Sequence, residues 1–283
     1  MINTNEILKK YNLKLTKTLG QNFLTDINII RKIVEAGEVD SSDLVIEIGP
    51  GIGSMTCELA KRAGKVIAVE IDRHLIPALQ ENLSDFSNIE LLNKDIMEVD
   101  LKSLVDGWEG PLKVISNLPY YITTPIVMKL LENDPKWDAM VFMVQKEVAQ
   151  RMAATPGTKD YSSLSVAVKY YSDPKIAFTV SRNCFIPKPD VDSAVVKLVK
   201  RELPWAGEID KSFFFKVVRA SFGQRRKTLL NSLGGQPWLT GGKDTVRTAL
   251  LKLNIKESVR AEELSVEDFA RLCKALENIS PEN

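Results

Sequence analysis

The glycine-rich segment at residues 45–56 constrains the fold of this chain more than any other feature of its sequence. It reads VIEIGPGIGSMT, so an apolar run leads into Gly49, Gly51 and Gly53 and then into a helix-compatible stretch. Glycine lets the backbone turn tightly and lets a ligand approach it closely. A strand, a glycine turn and a helix in this order are typical of a ligand-binding loop at the edge of a parallel α/β sheet.

Short apolar runs recur before and after this loop, and helix-compatible stretches separate them. The runs cover residues 44–48, 66–71, 89–93, 112–116 and 139–145. Their alternation with helical stretches predicts a Rossmann-like α/β fold, in which helices cover both faces of a parallel sheet. Two further runs, 174–181 and 191–200, have no clear helix between them and predict an antiparallel pair of strands at one edge.

The strand pattern stops after Arg201. Pro204, Trp205 and Gly207 indicate a linker. The helix-compatible stretches beyond it cover residues 213–222, 226–233, 245–253 and 265–276. We therefore predict two domains, a sheet domain over residues 1–203 and a small all-α domain over residues 204–283.

Basic residues are concentrated in the second predicted domain. Between residues 211 and 256 there are ten Lys or Arg and one acid, whereas the rest of the chain has 28 basic and 36 acidic residues. Such a block predicts a surface that binds a polyanion, although a solvated helical surface explains the charge equally well. The densest part, which contains no acid, holds Arg219, Arg225, Arg226 and Lys227.

The remaining composition excludes several classes of protein. Cys57, Cys184 and Cys273 lie far apart and His74 is the single histidine, which argues against a disulfide framework, a zinc site and histidine-based catalysis. No apolar run is long enough to span a bilayer. The first 17 residues are mixed and polar. We therefore expect a cytoplasmic protein with no membrane segment and no metal.

Acidic residues at three predicted strand ends indicate the type of cofactor. Glu47 precedes the glycine loop, Glu70 ends the second strand and Asp95 follows the third. Glu47 would repel a pyrophosphate but suits a ligand with ammonium and sulfonium centres. Glu70 could accept from ribose hydroxyls, and Asp95 could accept from an adenine amine. Each acid alone could be a loop charge or a cap; together they favour S-adenosylmethionine over a nicotinamide cofactor.

The fourth strand ends in a second motif, Asn117-Leu118-Pro119-Tyr120. Pro119 stiffens the turn, so the Asn117 side-chain oxygen and the Leu118 carbonyl could point at one spot. Two acceptors on the hydrogens of an adenine amine would favour a pyramidal nitrogen that can attack a methyl group. Tyr120 offers a flat face to an unstacked base. Phe185 could close the other face, although core packing is the favoured explanation for Phe185 alone.

These motifs resemble, in order, those of the small-subunit ribosomal RNA adenine dimethyltransferases. The resemblance covers nearly the whole chain. It rests on LGQNFL (19–24), EIGPGIG (47–53), VIAVEID (66–72), NKD (93–95), NLPY (117–120), FIPKPDVDS (185–193) and VVRASFGQRRKTLLNSL (217–233). The last motif separates this family from the related macrolide-resistance methyltransferases, which share the catalytic motifs but modify large-subunit RNA.

The resemblance implies specific contacts and a partner. The implied cofactor contacts, to which we add Gly51 from the glycine loop and Gln21 as a weaker candidate, are Asn22, Leu24, Gly49, Glu70, Asp95 and Asn117. The implied target-base contacts are Asn117, Leu118, Tyr120 and Phe185. The basic segment with Arg219, Arg225, Arg226 and Lys227 would hold RNA phosphates. The implied partner is the small ribosomal subunit, and we expect a monomer.

Other functions stay open at this point. The chain could be a ribosome-assembly factor whose catalysis is secondary, and a catalytically dead variant that still supports subunit maturation would favour that hypothesis. It could also methylate adenine in large-subunit RNA or in DNA, which a panel of substrates would separate. A dehydrogenase would return as a hypothesis if S-adenosylmethionine did not bind.

Overall fold

The structure is a computed structural model that describes residues 4–13, 21–133, 136–202, 209–224 and 226–279. Contacts within the chain form two compact units. The first comprises Met1–Ala149 and Asp173–Lys200, and the second comprises Gln150–Ser172 and Arg201–Asn283. The β-sheets belong to the first unit, and the second is built mainly from helices.

A mostly parallel sheet forms the centre of the first unit. The strands in the described residues are β1 (Phe23–Leu24), β2 (Leu44–Ile48), β3 (Lys65–Glu70), β4 (Ile89–Asn93), β5 (Leu112–Asn117), β6 (Ala139–Gln145), β7 (Ser172–Val180), β8 (Phe185–Ile186) and β9 (Ser193–Lys200). Seven of them form one sheet in the order β4-β3-β2-β5-β6-β9-β7, and β1 pairs with β8. The four pairs of neighbouring strands formed by β2 to β6 are all parallel. The predicted Rossmann-like α/β fold is confirmed.

The central strands are covered on both faces. Their continuous apolar runs therefore predict strands from the sequence alone. Every residue of β2 and all but the last of β6 are buried. A strand that is buried on both faces reads as a continuous apolar run. On one face, Ile33 and Leu59 from the covering helices pack with Val45 and Val141 in a single core cluster.

The predicted pair of late strands lies at one edge of the sheet. Strand β9 runs antiparallel to β6, with Ala139 opposite Val199 and Gln145 opposite Ser193. Strand β7 lies next to β9. The edge position and the antiparallel strand are confirmed, with ends shifted by about two residues from the predicted 174–181 and 191–200.

Helices connect these strands and build the second unit. They are α1 (Thr4–Lys10), α2 (Ile27–Ala36), α3 (Ser54–Ala60), α4 (Ile76–Asn82), α5 (Leu101–Leu104), α6 (Thr123–Asn133), α7 (Lys146–Ala153), α8 (Ser163–Tyr171), α9 (Lys211–Phe222), α10 (Leu229–Leu233), α11 (Gly242–Lys252) and α12 (Val266–Ile279). The start of α12 is fixed by Ser265, whose Oγ accepts from the Asp268 N–H at 3.0 Å. None of the helices in the described ranges is long and apolar enough to cross a bilayer.

The second unit has an aromatic core to which residues 150–172, from the middle of the chain, also contribute. The ring of Tyr170 on α8 lies 4.7 Å from Phe214 and 5.0 Å from Phe215, both on α9. The Tyr161 hydroxyl donates to the Leu264 carbonyl at 2.9 Å. Residues 150–172 therefore group with the carboxy-terminal helices, whereas the predicted first domain included them. The predicted division between residues 203 and 204 lies outside the described residues and stays a prediction.

Candidate active site

A cavity opens at the carboxyl ends of four parallel strands in the first unit. It is lined mainly by segments 21–24, 47–52, 69–71, 94–96 and 117–122. The chain passes from β2 to β3 and β4 on one side and places β5 on the other. Gly49 after β2 and Asn117 at the end of β5 therefore flank the point where the strand order reverses, which is where open α/β sheets bind ligands.

The glycine loop contributes Gly49 and Gly51 to the lining of this cavity. Gly49, Gly51 and Gly53 have φ of 67°, 63° and 88°, in the left-handed region that favours glycine. A Cβ at Gly51 would lie 2.8 Å from the Phe23 ring. Gly51 therefore meets two independent requirements, a left-handed backbone and a close approach to an aromatic side chain.

Glu47 is a carboxylic acid buried without full hydrogen bonding. The residue is 1% exposed and lines the cavity. Among the described residues, no hydrogen-bond partner reaches its Oε2. Burial raises the pKa of Glu47 to about 8, with a further contribution from Glu70 and an opposing one from the Thr56 hydroxyl. An isolated buried carboxylate is unfavourable, so the cavity would gain from a cationic ligand.

Glu70 is the second buried acid of the cavity. Its Oε1 accepts from the Asp72 N–H at 2.8 Å, and its Oε2 accepts from the Gly51 N–H at 3.2 Å. Burial still raises the pKa of Glu70 to about 7, although these backbone bonds oppose the rise. Each carboxylate oxygen has a second lone pair, so Glu70 can accept two further hydrogen bonds from a ligand.

Asp95 is half-buried and also lines the cavity. Its Oδ1 accepts from the Met97 N–H at 2.8 Å. Asp95 thus acts as a local cap, one of the two explanations open from the sequence. The same side chain stands at the cavity, where a ligand donor could reach it.

Asn117 has a fixed side-chain orientation. Its Nδ2 donates to the Asn22 carbonyl at 3.1 Å, which leaves Oδ1 as an acceptor. The next residue is anchored by its backbone, because the Leu118 N–H donates to the Met143 carbonyl on β6 at 3.1 Å. Both anchors hold the start of the loop after β5 in place. The side chain of Asn117 can therefore present a neutral acceptor to the cavity.

Two consecutive tyrosines follow at the cavity. Tyr120 is half-buried, and its hydroxyl lies 2.5 Å from the Ser193 Oγ. Tyr121 is 54% exposed. Both line the cavity, so flat aromatic surfaces stand where a planar base could stack.

The cavity brings together all but one of the predicted cofactor and base contacts. Those that line it, with Gln21 as well, are Asn22, Leu24, Gly49, Gly51, Glu70, Asp95, Asn117, Leu118 and Tyr120. Phe185 does not belong to its lining. It is 3% exposed, pairs with Leu24 between β8 and β1, and packs in the sheet core. Its assignment to the target base stays a prediction, as do the contacts of the other residues.

The predicted RNA-binding residues lie in the second unit. Arg219 is exposed in the last turn of α9, and Arg226 and Lys227 are exposed between α9 and α10. Arg225 lies outside the described residues. These cations are available to a polyanion, and their binding of RNA stays a prediction.

Sequence reasoning missed several residues of the cavity. Ile71 and Ile96 directly follow the two predicted acids of β3 and β4, and their position after those acids could have identified them. Phe23 and Tyr121 also line the cavity. Ser193 touches Tyr120 from 73 positions away in the chain, and no local pattern predicts such a contact.

The cavity fits the predicted cofactor. Its buried acids have raised pKa values, and one carboxylate oxygen of Glu47 has no hydrogen-bond partner within the part of the chain that the structure describes. A ligand that carries positive charge and hydroxyl donors would supply what both acids lack. Those are the chemical properties of S-adenosylmethionine.

Solved structures share this fold over most of the chain. A dimethyladenosine transferase from Plasmodium falciparum aligns with a TM-score of 0.77 and 28% identity, covering 91% of this chain and 98% of the other. The 23S rRNA methyltransferase ErmE aligns with a TM-score of 0.69 and 28% identity, covering 90% and 99%. The fold alone therefore does not separate methyltransferases of different ribosomal RNAs.

Sequence relatives are closer. A ribosomal RNA small subunit methyltransferase A from Clostridioides difficile (strain 630) is 53% identical over 271 residues, which is 95% of this chain and 93% of the relative. Its counterpart from Geobacillus sp. (strain WCH70) is 48% identical over 280 residues, 98% and 96% of the two chains. The sequence model of the ribosomal RNA adenine dimethylase family matches residues 12–278. This confirms the resemblance, and the chain belongs to the ribosomal RNA adenine dimethylase family.

Proposed function

We propose that this chain transfers methyl groups from S-adenosyl-L-methionine to the exocyclic amine of two adjacent adenines in small-subunit ribosomal RNA, producing dimethyladenosines. The observation that carries this proposal is the orientation of Asn117. Its amide nitrogen is held by the Asn22 carbonyl, and its oxygen remains an acceptor beside the glycine loop. The relatives named ribosomal RNA small subunit methyltransferase A align with 95% and 98% of this chain, which supports small-subunit RNA as the substrate.

The buried acids and the glycine loop would hold the cofactor. Glu70 would accept from the two ribose hydroxyls, and Asp95 would accept from the adenine amine. Glu47 would compensate positive charge on the methionine portion. When bound, S-adenosyl-L-methionine supplies an electrophilic methyl group on a sulfonium. Gly49 and Gly51 would line this part of the cofactor site.

The loop after β5 would prepare the adenine amine. The lone pair of this amine nitrogen is delocalised into the adenine ring, so the amine is a poor nucleophile. The Asn117 Oδ1 and the Leu118 carbonyl accept from the amine hydrogens and favour a pyramidal nitrogen. Neither group is a strong base, so the proton leaves after the nitrogen has become cationic. Positioning and electrostatics then supply most of the rate enhancement.

Tyr120 would hold the target base once it has left its stack, with Phe185 as the predicted second face. Stacking on an aromatic ring contributes ~1–3 kcal/mol per base. Two transfers to one nitrogen require that the site also accept the monomethylated base. We further propose that the protein acts as a monomer in the cytoplasm, and the acceptors described above need no metal.

A time course of product formation tests this function. The purified protein and S-adenosylmethionine are incubated with unmodified small subunits, and the RNA is digested to nucleosides. We expect monomethyladenosine to appear first and dimethyladenosine to replace it. A methyl group on another base, or a reaction that stops at monomethyladenosine, would contradict the proposal.

Cofactor affinity is expected to fall as the pH decreases. A cationic ligand favours ionised Glu47, so its pKa in the complex should lie below the value of about 8 in the free protein. Binding then releases a proton near neutral pH, and affinity decreases as the pH falls through 8. Between pH 8.5 and 6.5 we expect a loss of roughly tenfold in affinity through this group.

Glu47→Gln provides the control for this pH dependence. The ratio of the two dissociation constants at each pH removes the titration of the ligand itself, and calorimetry supplies both. Without ligand, ionisation of Glu47 in unfolded chains lowers wild-type stability as pH rises from about 4.5 to about 8. The variant should therefore unfold at a higher temperature than the wild type at pH 8. An identical pH dependence of affinity in both proteins would contradict the role of Glu47.

Charge reversal in the basic segment is expected to weaken RNA binding. In Arg226→Glu/Lys227→Glu, two exposed cations become acids. We expect roughly tenfold weaker binding of small-subunit RNA at moderate salt, with a smaller salt dependence and unchanged cofactor affinity. The matched control is Lys32→Glu/Lys102→Glu, which changes the net charge equally at exposed positions of the first unit. Equal RNA affinity in the two double variants would refute the assignment.

A further inference from the structure

We infer that Ser193 is a positioning residue for methyl transfer: its hydroxyl fixes the ring of Tyr120 as the surface on which the target adenine stacks. This inference rests on the proposed function. It concerns a residue outside the cavity lining that acts on one inside it. Its basis is a hydrogen bond between two hydroxyl groups and the rigid segment that carries one of them.

The contact joins the cavity to β9, the strand next to one edge of the sheet. The Tyr120 hydroxyl and the Ser193 Oγ are 2.5 Å apart, and Ser193 is 0% exposed. Ser193 is the first residue of β9, where it lies opposite Gln145 of β6. Its position is therefore set by the antiparallel pairing of two strands. A tyrosine ring bound to such a residue cannot swing freely with its loop.

The residues just before Ser193 are held as well. The Lys146 N–H donates to the Asp192 carbonyl at 3.0 Å. The Asp192 carboxylate accepts from the Arg182 N–H at 2.9 Å, and the Arg182 guanidinium donates to the Asp190 carbonyl at 2.9 Å. These hydrogen bonds connect residues 190–192 to Lys146, just after β6, and to Arg182, just after β7. Ser193 is thus a fixed point rather than the end of a mobile loop.

The backbone that precedes Tyr120 is bound to the same pair of strands, β6 and β9. The Leu118 N–H donates to the Met143 carbonyl of β6, and Ser193 pairs with β6 two residues further on. Strand β6 therefore anchors the backbone before Tyr120 and, through Ser193, the hydroxyl of its side chain. The Tyr120 hydroxyl lies on the axis about which the ring turns, so holding both ends fixes the direction of that axis. The ring is thereby kept at the place where an extruded base would meet it.

A simpler explanation is that Ser193 only satisfies a partly buried tyrosine hydroxyl. The two explanations differ in what they affect. A satisfied hydroxyl contributes to the stability of the fold, and its loss would leave the chemical step unchanged in the protein that remains folded. A positioning contact affects the rate at which bound RNA reacts, because it acts after binding and before methyl transfer.

The test is a double-mutant cycle with Ser193→Ala, Tyr120→Phe and the combined variant. Each removes the same hydrogen bond and keeps the aromatic ring. Single-turnover rates on unmodified small subunits should fall roughly fivefold to tenfold in all three variants, without addition in the combined one. The dissociation constants for RNA and cofactor should stay within about twofold, because most RNA contacts lie elsewhere. Ser172→Ala is the matched control, since Ser172 is also 0% exposed and its hydroxyl donates to the Val168 carbonyl at 2.8 Å.

Three results would overturn the inference. They are a wild-type rate in Ser193→Ala, additive losses in the combined variant, and an equal loss of rate in Ser172→Ala. Thermal unfolding of each variant ensures that rates are compared between folded proteins. Failure of the proposed function would be distinguishable, because the wild type itself would then form no dimethyladenosine.

Discussion

Asn117→Ala is expected to reduce the rate of methyl transfer roughly 100- to 1000-fold, the effect of removing one polar group that acts in the transition state. The variant lacks the acceptor that activates the amine and also loses the hydrogen bond from the Asn117 amide to the Asn22 carbonyl. RNA binding should persist, because the basic segment lies in the second unit. Cofactor affinity should change by no more than a few fold. Single-turnover kinetics with saturating RNA and cofactor measure the effect.

Asn133→Ala is the matched control for this variant. The Asn133 side chain is exposed and donates to the Lys129 carbonyl at 2.8 Å at the end of α6. The Asn133→Ala variant should transfer methyl groups at the wild-type rate. Normal turnover in Asn117→Ala would remove that residue from the mechanism. If Asn117→Ala still supports maturation of small subunits while inactive, binding and assembly would be a second function separate from catalysis.

Glu70→Gln is expected to weaken cofactor binding roughly 100-fold. Both oxygens of Glu70 accept from backbone N–H groups, of Asp72 and Gly51. Glutamine would turn an amide N–H towards one of these donors and would also lose an acceptor for the ligand. Hydrogen bonds to a charged group contribute about 1.5–3 kcal/mol each, so the combined loss reaches this magnitude. Equilibrium binding of the cofactor in the absence of RNA measures it.

Glu90→Gln is the comparison for Glu70→Gln. Glu90 lies on the neighbouring strand β4, where its carboxylate forms an exposed ion pair with Lys65 at 2.7 Å. Exposed ion pairs contribute little, so this variant should bind the cofactor like the wild type. Wild-type affinity in Glu70→Gln would show that the acid at the end of β3 does not hold the ligand.

The sequence predicted the positions of the acids that line the cavity better than the position of Phe185. Glu70 and Asp95 follow successive apolar runs, and parallel strands bring their carboxyl ends to one edge. Local spacing is therefore enough to place them. Glu47 was recognised as unfavourable for a pyrophosphate, and its buried position shows the same preference for a cation.

Contacts between distant segments could not be predicted in this way. Phe185 begins the motif FIPKPDVDS (185–193), which resembles the family, but its pairing with Leu24 buries it in the core. The bond between Tyr120 and Ser193 depends on how β9 pairs with β6. Such contacts arise from tertiary packing, which has no period along the chain.

The contact of residues 150–172 with the carboxy-terminal helices could not be predicted for the same reason. The end of the strand pattern after Arg201 places the predicted boundary at residue 203, so these residues fall in the predicted sheet domain. Tyr170 nevertheless packs against Phe214 and Phe215. Burial of these large aromatic side chains stabilises their grouping with α9. Aromatic residues at both places were visible in the sequence, but their contact was not.

The most direct test of the proposed function is methyl transfer to three alternative substrates. The purified protein is incubated with methyl-labelled S-adenosylmethionine and, separately, with unmodified small subunits, large-subunit RNA and duplex DNA, and the products are digested to nucleosides. We expect labelled dimethyladenosine from the small subunit alone. Label in large-subunit RNA or DNA, or no label in any substrate, would contradict it.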